Sequence, residues 1–128
     1  MNTEMEFQLM KVLWSLKHAT TAQVRERYNE LNKTSLAYTT VMTMLTRLVA
    51  KGSVKVDKAR EPFLYTAAIR RQTVLRDRVK AFVKSAFDGQ TDELVLYLVE
   101  NEALSVDDVQ RIKTAIARKK KEATPGAR

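Results

Sequence analysis

The sequence contains no cysteine. That excludes a disulfide framework, a thiolate metal site and a cysteine nucleophile. Its one histidine, His18, stands in a turn-like stretch, which leaves a histidine-based zinc site without support. No apolar run reaches the roughly 18 residues of a transmembrane helix. The opening MNTEMEFQ is acidic and polar, unlike a signal peptide. A soluble, cytoplasmic protein is expected. The chain also lacks a Ser/His/Asp set, a phosphate-binding glycine loop and a metal-ligand cluster. Nothing in it reads as an enzyme, and no cofactor or metal is expected. Its carboxylate pairs, Asp92/Glu93 and Asp107/Asp108, fall at expected helix starts, where the helix dipole accounts for them.

What is present is a 128-residue chain with 45% hydrophobic residues, enough for one domain or for two small ones sharing a dimer. Lys and Arg outnumber Asp and Glu by 23 to 15, a net charge of +8 that points to a polyanionic partner without naming it. The distribution says more. Residues 33–60 hold six Lys or Arg against one acid, and residues 70–84 again hold six against one. Residues 88–108 hold seven acids and no Lys or Arg. A single basic run commonly marks a solvated face. Here two such runs flank one candidate hairpin.

The most informative stretch is Ala37 to Gly52. At about 100° per residue, Val41, Met44, Leu45, Leu48 and Val49 share one broad apolar face. Thr39, Thr43, Thr46 and Ala50 fall opposite, with Thr40 and Arg47 on one flank and Met42 on the other. A solvated helix more often carries Glu, Lys and Gln there. Short outward side chains suit a helix that lies close to another surface. Threonine offers a hydroxyl for phosphates and a methyl for thymine, and arginine bonds a guanine edge or a phosphate. The stretch reads as the recognition helix of a DNA-binding domain; the alternative is an ordinary amphipathic helix with an unusual polar face.

The flanking segments fit that reading. Thr3-x-x-Glu6 is a capping-box pattern that opens a buried first helix to about Leu16. Lys17-His18-Ala19 is a short turn. Thr20-x-x-Gln23 is a second capping box, and Val24, Tyr28 and Leu31 mark the inner side of a second helix ending near Asn32. Gly52 suits the end of the third. Ser53 to Asp57 alternates as a strand, residues 58–62 form a polar tip, and Phe63 to Thr66 reads as the return strand. Three helices and a basic hairpin are the order of a winged helix-turn-helix. Its wing offers Lys55, Lys58 and Arg60 to phosphate or minor groove, unless the hairpin only covers the core.

A second unit begins near Arg70. Val74, Leu75, Val79, Phe82, Val83, Ala86 and Phe87 form a helical stripe. Thr91 is positioned to cap the next helix, which is apolar nearly all round from Leu94 to Val99. Ser105-x-x-Asp108 opens a last helix with Val109, Ile112 and Ile116 inward. Residues 118–121 and the Pro/Gly-containing end read as frayed or disordered. Three helices over about 50 residues make a marginal core. A partner chain is the economical cover, giving a homodimer through Val79, Phe82, Val83, Phe87, Leu94, Leu98, Ile112 and Ile116; the alternative is packing back on the first domain.

Taken together, the chain resembles the penicillinase repressor family of BlaI/MecI type from about residue 3 to residue 118. The pattern Thr40-Val41-x-Thr43-x-Leu45-x-Arg47-Leu48, followed by Lys51-Gly52, carries the resemblance in the third helix. Tyr65 in the wing, Phe82-Val83-x-x-x-Phe87-x-Gly89, Leu94-Val95-Leu96 and Glu102-x-Leu104-Ser105 extend it. The resemblance implies a homodimeric repressor of an inverted-repeat operator in double-stranded DNA. It places helix contacts at Thr39, Thr40, Met42, Thr43 and Arg47. Better-known members carry basic residues where this chain has Thr39 and Met42. Prototype members are inactivated by cleavage at an Asn-Phe bond, which implies a regulatory protease or sensor as partner. The aligned bond here is Tyr97-Leu98, without the Asn-Phe pair. Copper-responsive relatives carry a C-terminal cysteine cluster, which this chain lacks.

The expectation is thus a mainly α protein. A winged helix-turn-helix (residues 1–69) precedes a three-helix dimerisation domain (70–118) and a basic, disordered tail (119–128). The competing reading is a winged-helix protein-interaction module with nonspecific nucleic-acid affinity, its basic surface meeting an acidic protein.

Overall fold

A computed structural model of the protein describes residues 3–123. The elements run α1 (Thr3–Leu16), β1 (His18–Ala19), α2 (Thr21–Asn32), α3 (Tyr38–Ala50), β2 (Val54–Asp57), β3 (Leu64–Ala67), α4 (Arg71–Phe87), α5 (Thr91–Glu100) and α6 (Val106–Ala123). Packing divides the chain into two units, Met1–Asp77 and Arg78–Arg128, and the division falls inside α4.

In the first unit the helices bury the stripes that their periodicity marks. Leu9, Met10, Val12 and Leu13 of α1 meet Val24 and Tyr28 of α2 and Val41, Met44, Leu45 and Leu48 of α3. Val54 and Tyr65 close this core from the sheet. Burial holds the Tyr28 phenol above its ordinary pKa, with the Glu4 carboxylate adding to the effect. Trp14 is half-buried, and its indole Nε1 donates to the Ile69 carbonyl at 3.0 Å, tying α1 to the chain beyond the sheet.

The sheet has the order β1-β3-β2, antiparallel throughout. Here the structure departs from the expected turn at residues 17–19. Only Lys17 turns, at φ 71°, and His18 and Ala19 pair with Thr66 and Tyr65 as a third strand. A two-residue strand is too short to show alternation, and its partner lies far along the chain.

The capping chemistry is explicit. At the start of α2 the Thr20 hydroxyl accepts the Gln23 N–H and the Gln23 side chain accepts the Thr20 N–H. Ser105 and Asp108 make the same reciprocal pair at α6, each bond 3.0 Å. The Ser105 backbone N–H, foremost, and its hydroxyl hold the Asp108 carboxyl below its ordinary pKa. The Thr3 side chain, by contrast, lies outside the described residues, and Thr91 does not cap α5. Thr91 is the first helical residue, and Gln90 occupies the cap position without a side-chain bond. Leu31, expected inward, is 52% exposed on the last turn of α2.

The second unit has little interior of its own. Val83 is its buried residue in α4, while Phe87, Leu94 and Leu98 are half-buried. Phe87 stands edge-on to both Phe82 and Tyr97, with ring centroids 5.9 and 6.0 Å away. Residues 119–123, expected in a disordered tail, continue α6 as helix. Lysine is a good helix former and complements the dipole at a C-terminus, so its density there does not signal disorder. Residues 124–128 lie outside the described residues.

Candidate nucleic-acid interface

The loop of residues 33–37 sets where α3 begins, and Asn29 organises it. Its Oδ1 accepts the Leu36 N–H at 2.9 Å and the Thr34 hydroxyl at 2.8 Å. Its Nδ2 donates to the Leu36 carbonyl at 3.2 Å, and Arg25 Nε reaches the same carbonyl at 3.0 Å. The Asn29 carbonyl accepts from Lys33, which stands at φ 53°, and from Thr34 at 3.1 Å. The chain then enters α3 through Ala37, an extended N-cap whose side chain offers no acceptor to the leading amides.

Once started, α3 buries Val41, Met44, Leu45 and Leu48. Thr39, Thr40, Met42, Thr43, Thr46 and Arg47 all stand exposed. The stripe facing away from the core is therefore threonine, one methionine and one arginine. Two hydroxyls on it are engaged with the helix itself: Thr43 Oγ1 donates to the Thr39 carbonyl and Thr46 Oγ1 to the Met42 carbonyl, both at 2.9 Å.

The far end of α3 is fixed as firmly as its start. Gly52, at φ 83°, donates to Val49, and Ser53 donates to Leu48, each at 3.0 Å, which is a Schellman closure. Lys51 is half exposed but paired. Its Nζ lies 2.9 and 3.0 Å from the two carboxylate oxygens of Glu6, whose side chain is only 12% exposed.

Ser53 leads directly into the wing. β2 and β3 pair from Val54↔Ala67 to Asp57↔Leu64. Lys55 is exposed on β2, and Lys58 and Arg60 are exposed in the tip. Asp57 shapes that tip: one carboxylate oxygen accepts the Ala59 N–H at 3.0 Å, and the other lies 3.9 Å from Arg60 Nε. Both side chains of that ion pair are well exposed, so it adds little stability and leaves Arg60 accessible.

The expected site residues thus fall into two sets. Thr39, Thr40, Met42, Thr43, Arg47, Lys55, Lys58 and Arg60 all lie on α3 and the wing, joined by the three residues 51–53. Val79, Phe82, Val83, Phe87, Leu94, Leu98, Ile112 and Ile116 lie on the helices of the second unit, where Val79, Phe82, Ile112 and Ile116 are exposed in the single chain. Tyr97 and Leu98 sit in the C-terminal half of α5. Sequence reasoning missed Asn29 and the Glu6–Lys51 pair. An asparagine one turn before the end of a helix was the available signal for the first; nothing local marks the second, whose partners are 45 positions apart.

Among the described residues, no group of three or more His, Asp or Glu side chains is placed to hold a metal ion, and no helix is long and apolar enough to cross a membrane.

The chain is similar to several known proteins. A family model described as penicillinase repressor matches residues 2–118. The penicillinase repressor of Bacillus licheniformis is 31% identical over 111 residues, covering 86% of this chain and 84% of that one. The methicillin resistance regulatory protein MecI of Staphylococcus aureus (strain N315) is 26% identical, covering 89% of this chain and 91% of that one. Among solved structures, wild-type apo MarR from E. coli overlaps distantly, with a TM-score of 0.45 and 14% identity over 92% of this chain and 76% of that one.

Proposed function

The chain belongs to the penicillinase repressor family, and from that premise we propose that it is a DNA-binding transcriptional repressor acting as a homodimer on an inverted-repeat operator. The observation that carries this reading is the outer face of α3. It is held at both ends by built loops, it is stripped of the long side chains of a solvated helix, and it is bordered by Arg47 and the basic wing.

On this reading α3 enters the major groove, and Thr39, Thr40, Met42 and Thr43 face base edges. Arg47, the wing cations Lys55, Lys58 and Arg60, and the leading amides of α3 take phosphates. Residues 1–69 form the reading head and residues 70–118 the dimerisation domain. The exposed apolar side chains of the second unit supply the reason for a partner: Phe82 is 52% and Ile116 61% exposed in the single chain. Two heads presented about one DNA turn apart gain avidity that one head lacks.

Bound operator would block polymerase, and release would follow from whatever weakens the dimer. Cleavage at Tyr97-Leu98 is one route. The bond lies within a helix, so a protease needs α5 to open first.

The test is a salt series of binding by the purified protein, using DNA upstream of its own gene and a random duplex of equal length. The expected result is tighter binding to the upstream DNA, with one dimer bound and a steep salt slope. Equal, weak binding to both would reduce the interaction to generic charge attraction and favour a protein partner.

A further inference from the structure

Resting on the repressor reading, we propose that the Met42–Thr46 part of α3 recognises its operator through pyrimidine C5-methyl groups, using the methyls of Thr43 and Thr46 and the Met42 side chain rather than hydrogen bonds donated by the Thr43 and Thr46 hydroxyls.

The warrant is where the hydroxyl protons go. Thr43 and Thr46 donate theirs to carbonyls one turn back in the same helix, both at 2.9 Å. A β-branched hydroxyl in a helix readily takes this bond, so it belongs to the helix and does not await a ligand. What remains of each side chain to face a base is its γ-methyl and an oxygen that can only accept. Beside them, on the flank away from Arg47, stands Met42, exposed, apolar and adaptable. No Asn, Gln, Asp, Glu, Lys or Arg occurs from residue 38 to residue 46, so this part of the helix has none of the side chains that pair bidentately with a base. Arg47 is the one charged side chain of α3. A helix so equipped distinguishes bases by fit and apolar contact. In the major groove the apolar group is the C5-methyl, which thymine carries and cytosine does not.

Each threonine oxygen still has a lone pair and could accept from an adenine or cytosine amine. Substitution separates the two modes. Thr43→Val keeps the shape and the methyl but removes the oxygen. Thr43→Ser keeps the hydroxyl and removes the methyl.

The experiment begins with the full-length protein and a random duplex library, from which the tightest-binding sequence is selected. That duplex is then resynthesised with uracil in place of thymine, one position at a time, and with 5-methylcytosine in place of cytosine. Methyl reading predicts about a fourfold loss at one or two thymines of each half-site, the worth of one buried methyl. It also predicts that Thr43→Val binds as well as wild type while Thr43→Ser shows the uracil-like loss, and that the uracil penalty shrinks in Thr43→Ser. A gain from 5-methylcytosine would show that the methyl itself is read, whichever pyrimidine bears it; no gain would assign the contact to thymine positions. Enrichment of a specific duplex with no penalty from any uracil overturns this proposal and leaves the repressor reading standing. A Thr43→Val loss larger than that of Thr43→Ser overturns it equally. A library from which nothing specific is enriched overturns the repressor reading itself.

Discussion

Asn29 and Leu36 are joined by two hydrogen bonds running in opposite directions: the Leu36 N–H donates to the Asn29 side-chain carbonyl, and the Asn29 side-chain amide donates to the Leu36 carbonyl. One amide side chain thereby stands in for a strand partner at a point where no strand exists. The bond pair fixes the loop that delivers the chain into α3, whose own N-cap, Ala37, offers no side-chain acceptor.

Asn29→Ala should therefore destabilise the first unit by about 2 kcal/mol, because the half-buried Leu36 N–H loses its acceptor. Asn29→Asp keeps the acceptor and loses the donor, so it should cost less. Urea denaturation measures both. A midpoint for Asn29→Ala within error of wild type would mean that the loop is held by its other contacts, Arg25 to Leu36 first among them.

Two helix ends use the same closure with different residues. Gly52 follows α3 at φ 83°, and Glu102 follows α5 at φ 56°. Glu102 donates to Val99 and Ala103 to Leu98, as Gly52 and Ser53 do to Val49 and Leu48. A methyl built on Gly52 would meet nothing within 4 Å, so Gly52→Ala carries a backbone cost alone, about 1–2 kcal/mol. Glu102→Gly should move the other way, by up to about 1 kcal/mol. Thermal melts of the two variants are expected to shift in opposite directions. A shared sign would contradict the left-handed closures.

Acid should loosen the start of α6. The Asp108 carboxyl sits below its ordinary value of 3.8, chiefly because the Ser105 N–H donates to it. A lowered folded value means that the bond stabilises the helix above the unfolded pKa, and that this contribution is lost as pH falls through the lower folded value. Far-UV circular dichroism between about pH 5 and pH 2 should show a loss of helix that Asp108→Asn, lacking the titration, shows less of. Parallel acid profiles for the two proteins would place the loss elsewhere.

The proposed dimer is tested most cleanly at an exposed side chain. Val83 is buried within its own unit, and a charge there would threaten folding of the single chain. Phe82 is half exposed, so Phe82→Asp costs the single chain little more than its edge contact with Phe87. In a dimer closed over this face the same carboxylate would be buried unpaired. Sedimentation at micromolar protein should show dimers for wild type and monomers for Phe82→Asp, with helical content retained. Monomers for both, or dimers for both, would remove Phe82 from the interface.

How much of this was legible in the sequence follows from the range of each interaction. The stripes of α1, α2 and α3, the capping boxes at Thr20 and Ser105 and the wing strands rest on neighbours within one turn or one hairpin, and local pattern exposes them. Leu31 shows the limit: its angle is that of Val24 and Tyr28, yet periodicity gives direction and not how far a core extends along a helix. β1 exists only because Thr66 and Tyr65 lie opposite His18 and Ala19. The Glu6–Lys51 pair likewise needs the fold before it can be seen, and it sets a carboxylate beside one of the cations that composition alone counts toward DNA.

Arg47 gives the sharpest test of how the exposed face of α3 is divided between phosphate and base. It stands on the flank of the threonine stripe, one turn beyond Thr43, and is exposed. If it takes a phosphate, Arg47→Ala should weaken binding to the operator and to a random duplex by the same factor, and should reduce the salt slope by about one counterion. If it reads a base, the operator should lose about 1–3 kcal/mol while random DNA loses far less. The methyl-rich surface at residues 42, 43 and 46 favours the first outcome, since apolar contacts give fit and an anchoring cation gives register. A selective loss on the operator would instead make Arg47 a determinant of sequence, and the length of α3 that faces bases would then extend a full turn past Thr43.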